Sequence, residues 1–337
     1  MLYKSNGKFL LTGEYLVLKG ATALALPLKK GQSLEAETLD SNDNLIYWDA
    51  FYKSTDNGQQ TMVPEPVEGI HLHFDKLSDR NYHSHWFSAV LDKNDFSIRS
   101  TDDKEKAERL SDILSKAKAL NGNIFTDAHD YKFSTHLDFN PQWGLGSSST
   151  LINNIAEWAE INPYKLLDST FKGSGYDIAC AKSNHPIFFK IIADNPQAIS
   201  QNIEAANFDP IFKDNLYFVY HGYKQNTARE IKAFLSKEKK YTDEIKSISE
   251  ISRILPEVQT LRDFCYFIKV HEEITAACLE QKRLKKYFND FEGEVKSLGA
   301  WGGDFFLVAT EWDEKKVKKY FDSKDLNIVF KYQDIVL

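Results

Sequence analysis

The chain is poor in cysteine. Cys180, Cys265 and Cys278 are odd in number and lack CxxC spacing. That argues against a disulfide framework and for reduced thiols in a cytoplasmic protein. Positive charge is not in excess: 42 Lys and Arg stand against 49 Asp and Glu, a net charge of -7. No nucleic-acid footprint is expected, and a phosphate ligand would have to be held by a local site against an acidic background. No apolar run reaches membrane-spanning length, so no membrane partner is expected. Gly13-Glu14 interrupts the early apolar run Phe9 to Leu11, so the start is not expected to be a secretory signal. Internal repeats and low-complexity tracts are also missing. What is present, 337 residues at 42% hydrophobic content, suffices for two domains with their own cores.

The most informative stretch is Pro141-Gln142-Trp143-Gly144-Leu145-Gly146-Ser147-Ser148-Ser149-Thr150. Before it, Tyr131 to Phe139 alternates, with Phe133, Thr135, Leu137 and Phe139 on one face, as in a half-buried strand. After it, Leu151, Ile155 and Ala159 fall at helical spacing. Gly144 and Gly146 permit positive φ and close backbone approach, and Ser147 to Thr150 can cap the helix. A helix N-terminus with unpaired N–H groups suits a phosphate. A well-capped turn that binds nothing would read the same. The dinucleotide fingerprint wants a third Gly where Ser149 stands, and the Walker-type loop wants a Lys that is missing.

Along the rest of the chain, residues 1 to 50 read as β-rich, in short runs broken by Gly7, Gly13 and Gly20. Lys8 is either a strand-end charge or a cation turned into a cleft. The pairs His71/His73 and His83/His85 could each share a strand face, but no third metal ligand follows at a recognisable spacing. Helices are predicted from Asp102 to Leu120, from Pro163 to Phe171, from Ala228 to Leu235 after Thr227, from Leu261 to Leu279, from Lys282 to Phe291 and from Asp313 to Phe321. Asp177, after Gly173-Ser174-Gly175-Tyr176, either caps a helix beginning at Ile178 or stands as a carboxylate in a cleft. Strands are predicted at Ile187 to Ile192, Leu216 to Tyr220, Phe305 to Thr310 and Ile328 to Tyr332. The pattern loosens over residues 194–214, where a domain boundary is placed. Beyond it, strands and helices suggest an α+β domain with helices on one face of an antiparallel sheet.

Three separated stretches together resemble the GHMP kinases, the superfamily of galactose, homoserine, mevalonate and phosphomevalonate kinases. Gly7-Lys8-Phe9-Leu10-Leu11-Thr12-Gly13-Glu14-Tyr15 is similar to the first family motif. Gly144-Leu145-Gly146-Ser147-Ser148 is similar to the second, and Gly299-Ala300-Trp301-Gly302-Gly303-Asp304 to the third. Ser174-Gly175-Tyr176-Asp177 stands where the family carries its catalytic aspartate. Gly13-Glu14-Tyr15, the Gly-Tyr-Asp-Ile-Ala run and the Gly-Gly-Asp ending are most similar to phosphomevalonate kinases.

The resemblance implies a two-domain α+β fold. Residues 1–200 would form a domain like domain 2 of ribosomal protein S5, and residues 201–337 a ferredoxin-like antiparallel sheet with helices. It implies ATP and Mg2+ as cofactors and a small-molecule partner, with phosphomevalonate the leading acceptor and mevalonate the alternative, in a monomer or homodimer. Lys8 and Asp177 would be catalytic. Gly144, Leu145, Gly146, Ser147, Ser148 and Ser149 would hold the ATP phosphates. Ser148 would also touch magnesium, with Asp168 a further metal candidate, because Leu166 aligns with the acidic ligand of mevalonate kinases. Glu14, Ser174, Gly302 and Gly303 would line the substrate side. Trp143 and Trp301 replace small residues and would add bulk near the cleft. A non-catalytic nucleotide or metabolite sensor on the same fold is the reading of a different class.

Overall fold

The structure, a computed structural model, describes residues 1–53, 84–171, 173–195, 198–222, 227–299, 301 and 303–337. His71, His73, His83 and Gly302 lie outside the described residues. In chain order the strands are β1 (Leu2–Thr12), β2 (Ala23–Leu39), β3 (Leu45–Tyr52), β4 (Ser84–Asp92), β5 (Ile98–Thr101), β6 (Asp130–Leu137), β7 (Ile187–Asn195), β8 (Ala198–Ala205), β9 (Leu216–Tyr220), β10 (Glu294–Ser297), β11 (Phe305–Ala309) and β12 (Val329–Lys331). The helices are α1 (Lys104–Leu120), α2 (Ser147–Trp158), α3 (Pro163–Ser169), α4 (Tyr176–Lys182), α5 (Thr227–Leu235), α6 (Thr242–Ile254), α7 (Leu261–Leu279), α8 (Glu314–Asp322) and α9 (Tyr332–Ile335). The class is α+β, as the sequence implied. The chain forms two compact units, interleaved in sequence.

The first unit comprises residues 1–5, 30–141 and 147–172. Its strands run in the order β5-β4-β3-β6-β2, antiparallel except for the β3/β6 pair. Alternation along β6 puts Phe133, Thr135 and Leu137 inside, where Phe133 meets Trp48 and Trp158. Asp103 caps α1 by accepting from the Lys106 N–H, and Ala107, Leu110, Ile113, Leu114 and Ala117 form its buried face. Ser5, Asn153 and Asn154 form a buried polar set. Ser5 donates to Asn154 Oδ1 at 2.6 Å and accepts from Asn153 Nδ2 at 2.8 Å, which pairs the Ser5 hydroxyl with both amides.

The second unit comprises residues 6–29, 142–146 and 173–337. Its antiparallel sheet has the order β10-β11-β9-β12. Against it Phe9 stacks on Phe218 at 4.5 Å, and Phe288, Phe291, Val317 and Phe321 fill a separate core. The start of β2 pairs with β7, and β7 with β8. Thr260 caps α7 through the Asp263 N–H, and the helix matches its predicted span.

Several local expectations differ from what is found. Gly7 does not interrupt β1, and β2 runs 17 residues through Pro27 and Gly31. Pro27 lies between the residues that pair with β7 and those that pair with β6, so its missing N–H removes no rung there. Strands β8 and β10 and helix α6 were not legible. β8 carries Ser, Gln and Asn, and its pairing with β7 overrides weak propensity. The predicted helix Lys282 to Phe291 reduces to one turn, Leu284–Tyr287. There Lys285 donates to the carbonyls of Phe288 and Phe291, and those two rings drop into the core as separate anchors.

Candidate active site

The polar geometry nearest to the three motifs lies inside the second unit. Lys8 sits within β1, not at its end. Its backbone N–H donates to Leu145 O at 2.9 Å, and its ammonium donates to Gly144 O at 3.0 Å. Gly144 and Gly146 have φ of +66° and +105°, the left-handed region that a side chain disfavours. Trp143 fixes this loop from below: its buried indole packs against Tyr220, Phe305 and Phe330. A Cβ at Gly144 would run into the Asp304 carboxylate. Asp304 in turn accepts at its backbone carbonyl from the His221 N–H at 2.7 Å. Residues 8, 144 and 304, distant in sequence, are thus neighbours.

The fourth stretch joins through charge. Gly175, at φ +87°, takes the cap position of α4, and Asp177 falls in the helix's first turn, where its Oδ1 accepts from the Ile178 N–H at 3.1 Å. Asp177 is therefore not the cap of its helix, and it makes no direct ion pair with Lys8 within 4.0 Å among the described residues. The Tyr176 ring centroid is 5.8 Å from the Lys8 ammonium. Burial disfavours the Lys8 charge, but Tyr176, Asp177 and Asp304 outweigh it and hold its pKa above the ordinary value. Burial holds the Asp177 carboxyl above the usual range even though Lys8 opposes this. Burial also pushes the Tyr176 phenol up to about 12 and raises the Cys180 thiol, with Asp177 adding to the latter. The site therefore has a firmly charged cation, a less acidic carboxylate and no reactive thiol.

The other sequence candidates are distributed as follows. Leu145 is buried, and Ser174 is half-buried beside α4. Ser147, Ser148 and Ser149 open α2 in the first unit. There Ser148 is exposed, Ser147 half-buried and Ser149 buried. Thr150 Oγ1 donates to Gln32 Oε1 at 2.7 Å, which ties the helix start into that unit. Asp168 is exposed on α3. No group of three or more His, Cys, Asp or Glu suited to a metal occurs among the described residues. His85 Nε2 shares a 2.7 Å hydrogen bond with Ser88 Oγ. Gly303 is buried at the approach to Asp304.

Three expectations need correction. Glu14 does not line an open substrate face: its side chain is wholly buried and 2.5 Å from Lys296 Nζ. Trp301 adds no bulk to a cleft, because it packs with Tyr15, Phe234 and Tyr241 in the core. Trp143 is buried beneath its loop.

Around Glu14 lies a buried charged group that no sequence pattern signals. Lys296 Nζ also donates to Ser297 O at 2.8 Å and to Glu272 Oε1 at 3.4 Å. His271 Nε2 accepts from the Gly13 N–H at 3.1 Å and lies 3.3 Å from Glu14 Oε2. All four side chains have zero exposure. Burial, then Lys296, drives His271 well below its ordinary pKa, so the ring is neutral. Burial pushes Glu14 up to about 7 despite Lys296, and raises Glu272 likewise.

The residues at the loop fit a nucleotide phosphate in two respects: main chain without Cβ in the left-handed region, and a buttressed cation at its edge. No family model and no curated protein matches the sequence. Solved structures do. The mevalonate kinase of Methanococcus jannaschii is similar with a TM-score of 0.64 at 16% identity, over 98% of this chain and 96% of that one. The phosphomevalonate kinase of Streptococcus pneumoniae, solved with phosphomevalonate and AMPPNP, gives 0.62 at 13% identity over 98% and 99%. The galactokinase of Lactococcus lactis, solved with galactose, gives 0.59 at 10% identity over 98% and 92%. The chain therefore has the α+β fold of the GHMP kinases.

Proposed function

We propose that the protein is an ATP-dependent small-molecule kinase that transfers the γ-phosphoryl group to an isoprenoid-pathway acceptor, with phosphomevalonate first and mevalonate second. The observation that carries this reading is the meeting of Lys8, the Gly144 loop and Asp304 in one place. The Lys8 ammonium donates to a loop carbonyl, and Tyr176, Asp177 and Asp304 all favour its charged form, as a cation kept for an anionic ligand requires. The choice of phosphomevalonate rests on the Gly-Glu-Tyr, Gly-Tyr-Asp-Ile-Ala and Gly-Gly-Asp strings, and residues 1–200 and 201–337 are taken as the two domains of the family.

Phosphoryl transfer asks chiefly for positioning and charge neutralisation. Bound with magnesium, ATP would supply the transferable phosphoryl group and a metal-neutralised leaving group. The loop from Gly144 to Ser149 would bind its phosphates, with Ser148 offering a hydroxyl to the metal and Asp168 a distant carboxylate. Lys8 would stabilise negative charge building on the transferred group. Asp177 would accept the proton of a hydroxyl acceptor, a task that suits a carboxyl with raised pKa. With a phosphate acceptor no proton needs removing, and Asp177 would orient Lys8 and the acceptor. Ser174 and Gly303 would border the acceptor. Glu14 acts only indirectly, by fixing the segment that follows Lys8.

A coupled ADP-release assay with magnesium-ATP tests this against phosphomevalonate, mevalonate, diphosphomevalonate, homoserine and sugars. Turnover well above background is expected with phosphomevalonate. Silence across the panel with ATP still bound would favour the sensor. Gly144→Ala, which forces a Cβ into Asp304 at a left-handed φ, is expected to weaken ATP binding about tenfold, since such strain costs about 1–3 kcal/mol. Calorimetry checks it, and unchanged affinity would remove Gly144 from the nucleotide site.

A further inference from the structure

A carboxylate pressed against a phosphate-binding loop is unexpected, because it repels the ligand the loop would take. Asp304 is in that position. Its carboxylate fills the space that a Cβ on Gly144 would need, and the Gly144 carbonyl is the acceptor for Lys8. The residue is held there from both sides. Its own carbonyl accepts from His221 N–H at 2.7 Å, and Phe305, which follows it, packs against Phe9, Trp143 and Tyr220. The carboxylate is half-buried, so water screens it incompletely. It bears on Lys8 and, after burial, on the Tyr220 phenol, whose hydroxyl donates to Gln142 O at 3.4 Å at the other end of the same loop.

We propose that Asp304 is a positioning residue that makes nucleotide binding conditional on a divalent cation, by setting a fixed negative charge against Gly144 and beside Lys8. The proposal rests on the kinase reading above. An unmetallated triphosphate brings three to four negative charges to a loop that already holds one, and Lys8 is shared with Tyr176, Asp177 and Asp304. Like charges brought together in a partly buried site repel with less screening than in water. A triphosphate carrying a divalent cation presents less charge, and the cation itself is attracted to the carboxylate. The residue thereby selects the metal complex of the nucleotide, the form competent for transfer, and rejects the free anion.

The test is calorimetric titration of the full chain with ATP in excess magnesium and with ATP in excess EDTA. The quantity read is the ratio of the two dissociation constants. The native protein is expected to bind metal-free ATP at least about tenfold more weakly than magnesium-ATP. Asp304→Asn, nearly isosteric and neutral, should shrink that ratio by about tenfold, chiefly by tightening metal-free ATP. Asp304→Ser should do the same, and Asp304→Glu should keep the native ratio even if both affinities fall. Thermal melts establish which variants are folded. A ratio unchanged in both neutral variants would overturn the proposal, because a purely structural Asp304 would alter both constants together. No ATP binding to the native protein in either buffer would instead remove the kinase reading, and this inference with it.

Discussion

Lys8→Met is expected to lower kcat by roughly 10²–10³-fold, the usual loss when a positioned group that stabilises transition-state charge is removed. The surroundings of Lys8 lead to that figure. Its side chain leaves β1, and its ammonium donates to Gly144 O at 3.0 Å. The cation is therefore set in place before any substrate arrives, and preorganised charge is the most effective kind. Methionine keeps the apolar stem and removes only the charge, so the unfolding midpoint should move little compared with the activity. Asp177→Asn should lower kcat by roughly 10²–10⁴-fold with a hydroxyl acceptor and by less with a phosphate acceptor, while ATP still binds. A sensor would keep its response with either substitution. Burial raises the Asp177 pKa, and catalysis with a hydroxyl acceptor needs its ionised form. The acid limb of the kcat profile should therefore lie above the ordinary carboxylate range. Lys8, held above its ordinary pKa, should contribute no alkaline limb near neutral pH. Full activity of Lys8→Met in the ADP-release assay would rule out its assigned role.

Lys296→Met is expected to be the most destabilising single change, by about 3–5 kcal/mol, as is usual when one partner of a buried ion pair is removed. Lys296 is the cation between two buried carboxylates, Glu14 at 2.5 Å and Glu272 at 3.4 Å. Without it both must be protonated or remain charged in a dry core, next to a neutral His271 and with Arg283 bearing only on Glu272. The native protein should already show a trace of this strain. The Glu14 pKa rises from 4.5 to about 7 on folding, so the folded state holds this proton more tightly than the unfolded one. The Glu14 contribution is therefore fully present below about pH 4.5 and is lost as pH rises through about 7. The whole change amounts to about 3 kcal/mol at 1.36 kcal/mol per pKa unit. Denaturant titrations at pH 5 and pH 8 read it directly, and Glu14→Gln should flatten the difference. Equal pH dependence in Glu14→Gln and the native chain would show that another group is responsible.

Much of the candidate site was legible because it is written in short strings whose chemistry is local. Glycines in a turn that leads into a helix, a lysine directly after Gly7 and an aspartate after Gly-Ser-Gly can be read without the fold. So could α7, from its apolar period and its Thr260 cap, and the strand before the loop, from its alternation. Asp304 stood in plain view at the end of the third motif, but only its position against Gly144 gives it a task.

Other features depended on partners that no local pattern reveals. In Glu294–Ser297 only Val295 is apolar, so the segment gives little strand signal, and yet it pairs with β11 and buries Lys296 completely. Trp143 and Trp301 read as intruders on a ligand site and are instead core residues, because a large ring next to a glycine turn can point away from the turn. The sequence by itself pointed to the α+β class and named the candidate phosphate loop, cation and base. Only the tertiary structure decided that Lys8 rests on Gly144, that Asp304 presses on the same glycine and that Glu14 belongs to a buried ion cluster. The reason is that charge and packing act through distance in space, and residues 8, 144 and 304, or 14, 272 and 296, become close only when the chain has folded.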